Sequence, residues 1–530
     1  MVTYVGGTVA DVYTGTWIDA NVVIEGERIV HVGPDAHGER VDVRGRVLVP
    51  GYIEPHAHPW CLYSPASLLE AAVPDGTTTL VYDNLFFFLS HGVEGLRGIV
   101  DAMNAAPAHV KWVARLAPQT AAEAFDVETV AEQLRWPEVV ATGEITNWPA
   151  AIRGELDGGI AAAKRARKRV EGHNAGASYA RLNELAAAGI SADHEAITGE
   201  EARQRLRLGL WTMLRQSSLR PDLEPMLRDL LDVVPSARRL MFTTDGAVPS
   251  FYAERGMISG CLEIATRVGV DPMRALQMAT IDPATFLGLD EELGGIAPGR
   301  RATFNVLEAI GAWRPERVVV DGEVVARGGA LLAPPPRIDW PAGPGLTAPE
   351  AFTPLTGVQP VARYESAVIN RRVDRDVRPG DLQAALVARD GSWITRGVLE
   401  HFLDTPGFAT TATTSLHLLV LGTDPAAMAR AARRVVELGG GFAFDGGWEA
   451  PLEIDGLIAA GGFDAALRVE RELTAAMARA GHPFHDPLYS LLFASGDFLP
   501  ELRLTPRGLL EVKSRAVLAS PSRIDTVPPC

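Results

Sequence analysis

Hydrophobic runs that end in polar residues recur along the middle of the chain. Between about Val47 and Pro298, eight segments read as strands: VLVPGYIEPHAH, TTTLVYDN, VKWVARLAP, VVATGEIT, KRVEGHN, GISADHE, GLWTMLRQ and RLMFTTD. Most are rich in β-branched or aromatic residues, and all but VKWVARLAP close on His, Asp, Glu, Asn, Thr or Gln. Ala-, Leu-, Arg- and Glu-rich stretches such as VETVAEQLRW and EEARQRLRLG lie between them and read as helices. Eight strands alternating with helices over roughly 250 residues have the size and rhythm of a (β/α)8 barrel, where chemistry sits at the C-terminal strand ends.

The flanks follow another pattern. NVVIEGERIVHVG holds two β-rich runs around Glu25-Gly26, and RVVVDGEVVARGG holds two around Asp321-Gly322. Both are hairpin signatures. The expected organisation is a small β-sandwich domain built from residues 1–48 and 297–333, with the barrel over 49–296. Prolines crowd the stretch from Pro334 to Gly345, as in a linker. Residues 346–530 mix strands (SLHLLVLG, GGGFAFDGG) with helices (AAMARAARRVVEL, DAALRVERELTAAMARAG), which predicts a C-terminal α+β domain. The fold class expected is therefore α/β: a TIM-like barrel with two appended domains.

Charge narrows the partners. Lys+Arg 50 against Asp+Glu 66 leaves a net charge of −16 on 530 residues. Such a chain repels phosphate backbones and anionic lipid, so neither nucleic acid nor a membrane surface is expected as partner. The opening residues show no signal-peptide pattern, and the apolar run Leu85 to Leu89 is far too short to span a bilayer. Three cysteines, Cys61, Cys261 and Cys530, are widely spaced and make no disulfide framework. A cytoplasmic setting is expected.

His56 and His58 end the first barrel strand at positions i and i+2, which project to one side. Glu144, His173, His194 and Asp245 fall at the ends of the fourth, fifth, sixth and eighth strands. Chain order alone thus places six ligand-type side chains around one barrel mouth. Six nitrogen and oxygen donors suit a pair of divalent ions such as Mn, Fe or Zn. Two such ions need a bridging anionic oxygen. Only four lysines occur, Lys111, Lys164, Lys168 and Lys513, and none closes a strand, so a carboxylated lysine is not available. Glu144, the carboxylate of the fourth strand end, is the expected bridge. Water on such an ion has a pKa near ~7, and Asp245 is placed to take its proton and pass it to a leaving group.

VLVPGYIEPHAH, GEITNWP, EGHNAGASYARLNELAAAGISADHE and the Thr-Thr-Asp of strand eight resemble the amidohydrolase superfamily, and within it the adenine deaminase family. LVLGTDPAAMARAARRVVELGGG and DPLYSLLFASGDFLPELRLTPRGLLEV are similar to that family's last domain, so the resemblance spans nearly the whole chain. It implies metal ligation by His56, His58, Glu144, His173, His194 and Asp245. It also implies catalysis through Asp245, Glu144 and His194, with Arg215 beside the substrate. Adenine plus water would give hypoxanthine plus ammonia, and a homodimer would be the working form.

The chain departs from the family near the substrate. Pro59-Trp60-Cys61 stands where Glu-Ser-Ser is usual, and Asp83-Asn84-Leu85-Phe86 where Asp-Pro-His-Glu is usual. Thr413-Thr414-Ser415-Leu416-His417 replaces His-Asp-Ser-His-Asn. Trp60, Asn84 and Phe86 then become candidate contacts to a small heterocyclic substrate, on loops after strands one and two. Two other readings stay open: the same centre opening a cyclic amide or imide, and an inactive scaffold.

Overall fold

In the computed structural model, which describes residues 1–118 and 125–524, the eight expected segments form eight parallel strands. These are β1 (Tyr52–Ala57), β2 (Thr77–Asp83), β3 (His109–Ala114), β4 (Val139–Thr142), β5 (Glu171–Gly172), β6 (Ala192–Asp193), β7 (Trp211–Arg215) and β8 (Leu240–Thr243). β1 to β4 make one parallel ladder and β5 to β8 a second. Parallel bridges Ala141–Arg169 and Ile145–Gly172 join β4 to β5, and Ala57–Asp245 joins β8 to β1, so the barrel closes. Every residue of β1, β2, β7 and β8 is buried, as expected of strands covered by helices outside and side chains inside.

The strand expected from Val47 onward is in fact two. Val47–Pro50 runs antiparallel to Phe304–Leu307 and parallel to Val2–Asp11 in the flanking sheet. Pro50 has no N–H to continue a ladder, and Gly51 turns the chain where a Cβ would lie 2.0 Å from Thr78 Oγ1. Only Tyr52–Ala57 enters the barrel.

The flanking sheet has nine strands drawn from both ends of the barrel segment. At its second hairpin Asp321 and Gly322 both take positive φ, 51° and 86°, as a type I′ turn requires. The sheet folds over Tyr4, Val22, Ile24, Leu48, Phe304 and Val319. Backbone bonds from Ile29 to Arg300 (3.0 Å) and from Gly299 to Ile29 (2.8 Å) close its far edge.

The C-terminal part carries a second nine-stranded sheet, covered by the helix Pro425–Glu437 through Ala427, Met428, Ala431, Ala432 and Val435. The helix Gly462–Arg479 packs on two barrel helices, Pro65–Ala72 and Pro249–Arg255. The short helix Pro487–Leu492 reaches the barrel mouth, where a Cβ on Gly246 would meet Tyr489 Oη at 2.5 Å and His58 Cβ at 3.3 Å. The C-terminal part thus closes against the mouth.

One local expectation is corrected. Leu85 to Leu89 do not form a loop: they open a helix, Leu85–Met103, bent at Gly92 (φ 66°). The continuous apolar run lets Phe86 and Phe87 bury in the first turn. Among the described residues, no helix is long and apolar enough to cross a membrane.

Candidate metal centre

The barrel register brings all six expected ligands together. His56 Nε2 and His58 Nε2 lie 3.2 Å apart, and Asp245 Oδ1 sits 3.4 Å from the first and 2.9 Å from the second. Across the mouth, Glu144 Oε2 lies 2.6 Å from His173 Nδ1 and 3.2 Å from His194 Nε2. Its other oxygen, Oε1, faces His58 Nε2 at 3.6 Å. Three groups have ligand atoms mutually within 4.8 Å: His56, His58, Glu144; His56, His194, Asp245; and Glu144, His173, His194. Imidazole nitrogens and carboxylate oxygens at this spacing fit first-row divalent ions, so the donor set suits the implied metal.

Local structure explains why these side chains emerge where they do. Glu54, two residues before His56, accepts from Thr243 Oγ1 (2.7 Å), Thr244 N (2.8 Å), Thr244 Oγ1 (2.7 Å) and His56 N (3.1 Å). It staples β1 to the end of β8 and so sets His56 against Asp245. Burial pushes its carboxyl up to about 7 even though these bonds favour the charged form. Asp245 takes a left-handed backbone (φ 56°), a conformation that aspartate tolerates better than most residues.

Each anionic ligand also has a buried arginine. Arg115, closing β3, donates from Nη2 to Glu144 Oε1 (2.7 Å), from Nη1 to the Glu144 carbonyl (2.6 Å) and from Nε to Asp83 (2.6 Å). Arg215 Nη1 donates to Glu195 Oε1 (2.6 Å) and to Asp245 Oδ2. Burial alone would raise the carboxyls of Glu144 and Asp245, but Arg115 with His173, and Arg215 with His56 and His58, hold both well below the carboxylate range. Burial likewise pulls His56 and His194 down. Glu171 and Asp245 outweigh it at His56, and Glu144 and Glu171 at His194, which rises to about 10. The centre thus pairs carboxylates with imidazoles, and an ion would take the place of imidazole protons.

The expected substrate contacts are placed less uniformly. Trp60 packs edge-on against Phe86 (4.2 Å between centroids) and His58 (5.4 Å), and its Nε1 is buried with no hydrogen-bond partner. Asn84 is committed to the scaffold, donating to Gln133 Oε1 (2.6 Å) and accepting from Arg115 N (3.3 Å). Arg215 points its Nη1 at two carboxylates, which makes it a partner of Asp245. Phe87 turns away to Trp112 and Phe88 to Phe125, whereas Phe498 of the C-terminal part stands 5.8 Å from the His173 ring. Cys61 is buried beside Tyr489, and burial raises its thiol far out of the reactive range. Cys530 lies outside the described residues.

Sequence reasoning missed Glu54, Arg115, Glu171 and Glu195. Two of them carried a usable signal: Glu54 is two residues before His56, and Glu171 two before His173, so strand alternation puts each on its histidine's face. Arg115 was visible as a lone charge closing an apolar strand.

Comparison with known proteins agrees with this geometry. Residues 47–325 match the amidohydrolase family, and residues 361–516 match the adenine deaminase C-terminal domain. A protein of Halalkalibacterium halodurans named "Putative adenine deaminase" is 35% identical, covering 95% of this chain and 92% of its own. The "Adenine deaminase" of Cenarchaeum symbiosum is 30% identical over 96% of this chain and 91% of its own. Among solved structures, a zinc-containing atrazine chlorohydrolase of Arthrobacter aurescens superposes with a TM-score of 0.50 at 18% identity, covering 63% of this chain and 96% of that one. The likeness shows the shared fold.

Proposed function

Because the chain belongs to the amidohydrolase family and ends in an adenine deaminase C-terminal domain, we propose that it hydrolyses the exocyclic amine of an aminopurine, adenine plus water giving hypoxanthine plus ammonia. The observation that carries this reading is Glu144, whose two oxygens face His58 on one side and His173 with His194 on the other. That placement favours two ions, of Mn, Fe or Zn, with Glu144 between them.

Ions held by His56, His58, Glu144, His173, His194 and Asp245 would supply Lewis acidity, bringing the pKa of a ligated water to about 7. The chain's own part is proton handling and alignment. Arg215 holds Asp245 Oδ2, so Oδ1, which faces His56 and His58, is the oxygen that takes a proton from the attacking water and delivers it to the departing nitrogen. The C6–N bond breaks as the C6–O bond forms, and the nitrogen leaves as ammonia. His194, with Nδ1 on Glu171 and Nε2 turned toward Glu144, contributes by holding an ion beside the ring, and Trp60 with Phe86 forms an apolar wall beside His58. Asn84 acts from behind, bracing the β3 end. The same reading takes the protein as a cytoplasmic homodimer, checked by light scattering.

Ammonia release from adenine by protein loaded with Mn²⁺ or Fe²⁺ is the test, with kcat expected on the order of 1 per second or more. The buried Trp60–Phe86 pair, in place of polar residues, favours one second reading: the same centre opening a cyclic amide or imide. Ring opening without ammonia, from metal-replete protein, would select it. Protein purified without chelator and carrying no metal would instead support an inactive scaffold.

A further inference from the structure

Glu171 lies in the two-residue strand β5, fully buried, and its oxygens address two different histidines. Oε1 is 3.0 Å from His194 Nδ1, and both oxygens lie 3.2 Å from His56 Nδ1. The two imidazoles stack with centroids 4.4 Å apart and planes 26° apart. Both rings therefore present Nε2 toward the same space, between Asp245 and Glu144.

A neutral imidazole carries its proton on one nitrogen and ligates through the other. An ionised carboxylate only accepts, so a ring facing it by Nδ1 must keep the proton there and leave Nε2 bare. One carboxylate facing two rings imposes that tautomer on both at once. Each of the three candidate ligand groups contains His56 or His194, so Glu171 stands behind all of them.

We propose that Glu171 is a positioning residue that commits His56 and His194 together to ligation through Nε2, coupling the ion subsites on the two sides of the mouth. This rests on the reading that the centre binds divalent ions and is independent of the substrate. Glu171→Gln keeps the shape but offers one accepting oxygen and one donating NH2. Its oxygen, at the Oε1 position, can still accept from His194, while the NH2 stands against His56 Nδ1 and weakens the hold on that ring's tautomer.

Equilibrium dialysis with Zn²⁺ followed by elemental analysis is then expected to give two ions per chain for wild type and weaker binding of the ion on the His56 side for E171Q. Glu171→Ala, which holds neither ring, is expected to weaken every ion about 10- to 100-fold. Nitrogen-15 spectra of histidine-labelled, zinc-loaded protein read the tautomers directly, a signal that a merely structural role would leave unmoved. E171A binding two ions with wild-type affinity overturns the proposal. A wild type that binds one ion overturns the two-ion reading alone, and Glu171 is then judged by E171A, where unchanged affinity overturns it. If E171A does not fold, Glu171→Asp, one methylene short and drawn back from both rings, must likewise weaken the ions.

Discussion

The two ends of the barrel interior are built from the same strands and obey opposite rules. Val81 and Asp83, Val113 and Arg115, Ala192 and His194, and Met213 and Arg215 are pairs two residues apart, so each pair shares one face of its strand. The first members join Ile53, Ala141, Met241 and Phe286 in an apolar floor. The second members form the charged mouth. The floor gains from burial directly, about 1.5–3 kcal/mol for a large apolar side chain. The mouth buries charge, which is tolerable only because these ions have partners: Arg115 with Asp83 and Glu144, Arg215 with Glu195 and Asp245. The floor is a fold element; the mouth is a mutually compensated set that an ion can re-pair.

The largest effect is expected at the mouth's centre. Glu144→Ala removes the carboxylate facing both ligand sets and strands Arg115, so turnover should vanish and metal content fall to one ion or none per chain. Retained activity with two ions would remove Glu144 as the bridge. Next comes Arg115→Gln, which takes the guanidinium from Asp83 and leaves Glu144 only its imidazole neighbours, and should cost about 3–5 kcal/mol in metal-free protein. Saturating Mn²⁺ should recover part of that loss in a thermal melt, since an ion takes over Glu144. A Tm deficit that metal does not change would mean the pair is purely structural. On the floor, Met213→Ala should cost about 2–5 kcal/mol through the cavity it opens, with kcat per folded molecule and metal content unchanged. Loss of metal there would erase the division between the two ends.

Much of this division was legible in the sequence, and the unread part has a definite cause. The HxH pair, the lone Glu, His and Asp at later strand ends, and the Asp321-Gly322 turn are local patterns, fixed by strand alternation and turn geometry. Arg115 and Glu171 act across strands. Their partners depend on the barrel register, which sets β3 beside β4, β5 beside β6, and β1 across the interior from β5, and no window of sequence contains that. β5 and β6 are so short that only barrel closure makes them strands. Leu85 to Leu89 misled because an unbroken apolar run lacks a helical period and begins without a side-chain cap.

The smallest effect separates the two ends by pH. At the mouth, burial would raise the carboxyls of Glu171 and Glu195, but neighbouring cations overcome it and hold both at about 2. Asp75, in the turn that leads into β2 at the floor end, has no such cation in contact. It accepts from Met257 N (2.8 Å) and Ser259 Oγ (2.5 Å), and burial lifts it to about 6 despite those bonds. An unfolded aspartate titrates near ~3.9, so the folded chain holds this proton more tightly. The resulting stabilisation is complete below that unfolded value and is lost as pH rises through about 6. Asp75→Asn does not titrate. The stability of wild type relative to the variant should therefore fall by about 1–3 kcal/mol between pH 4 and pH 8, read from paired melts on metal-replete protein. A flat difference would show that Asp75 is ionised throughout, with the floor end paired as closely as the mouth.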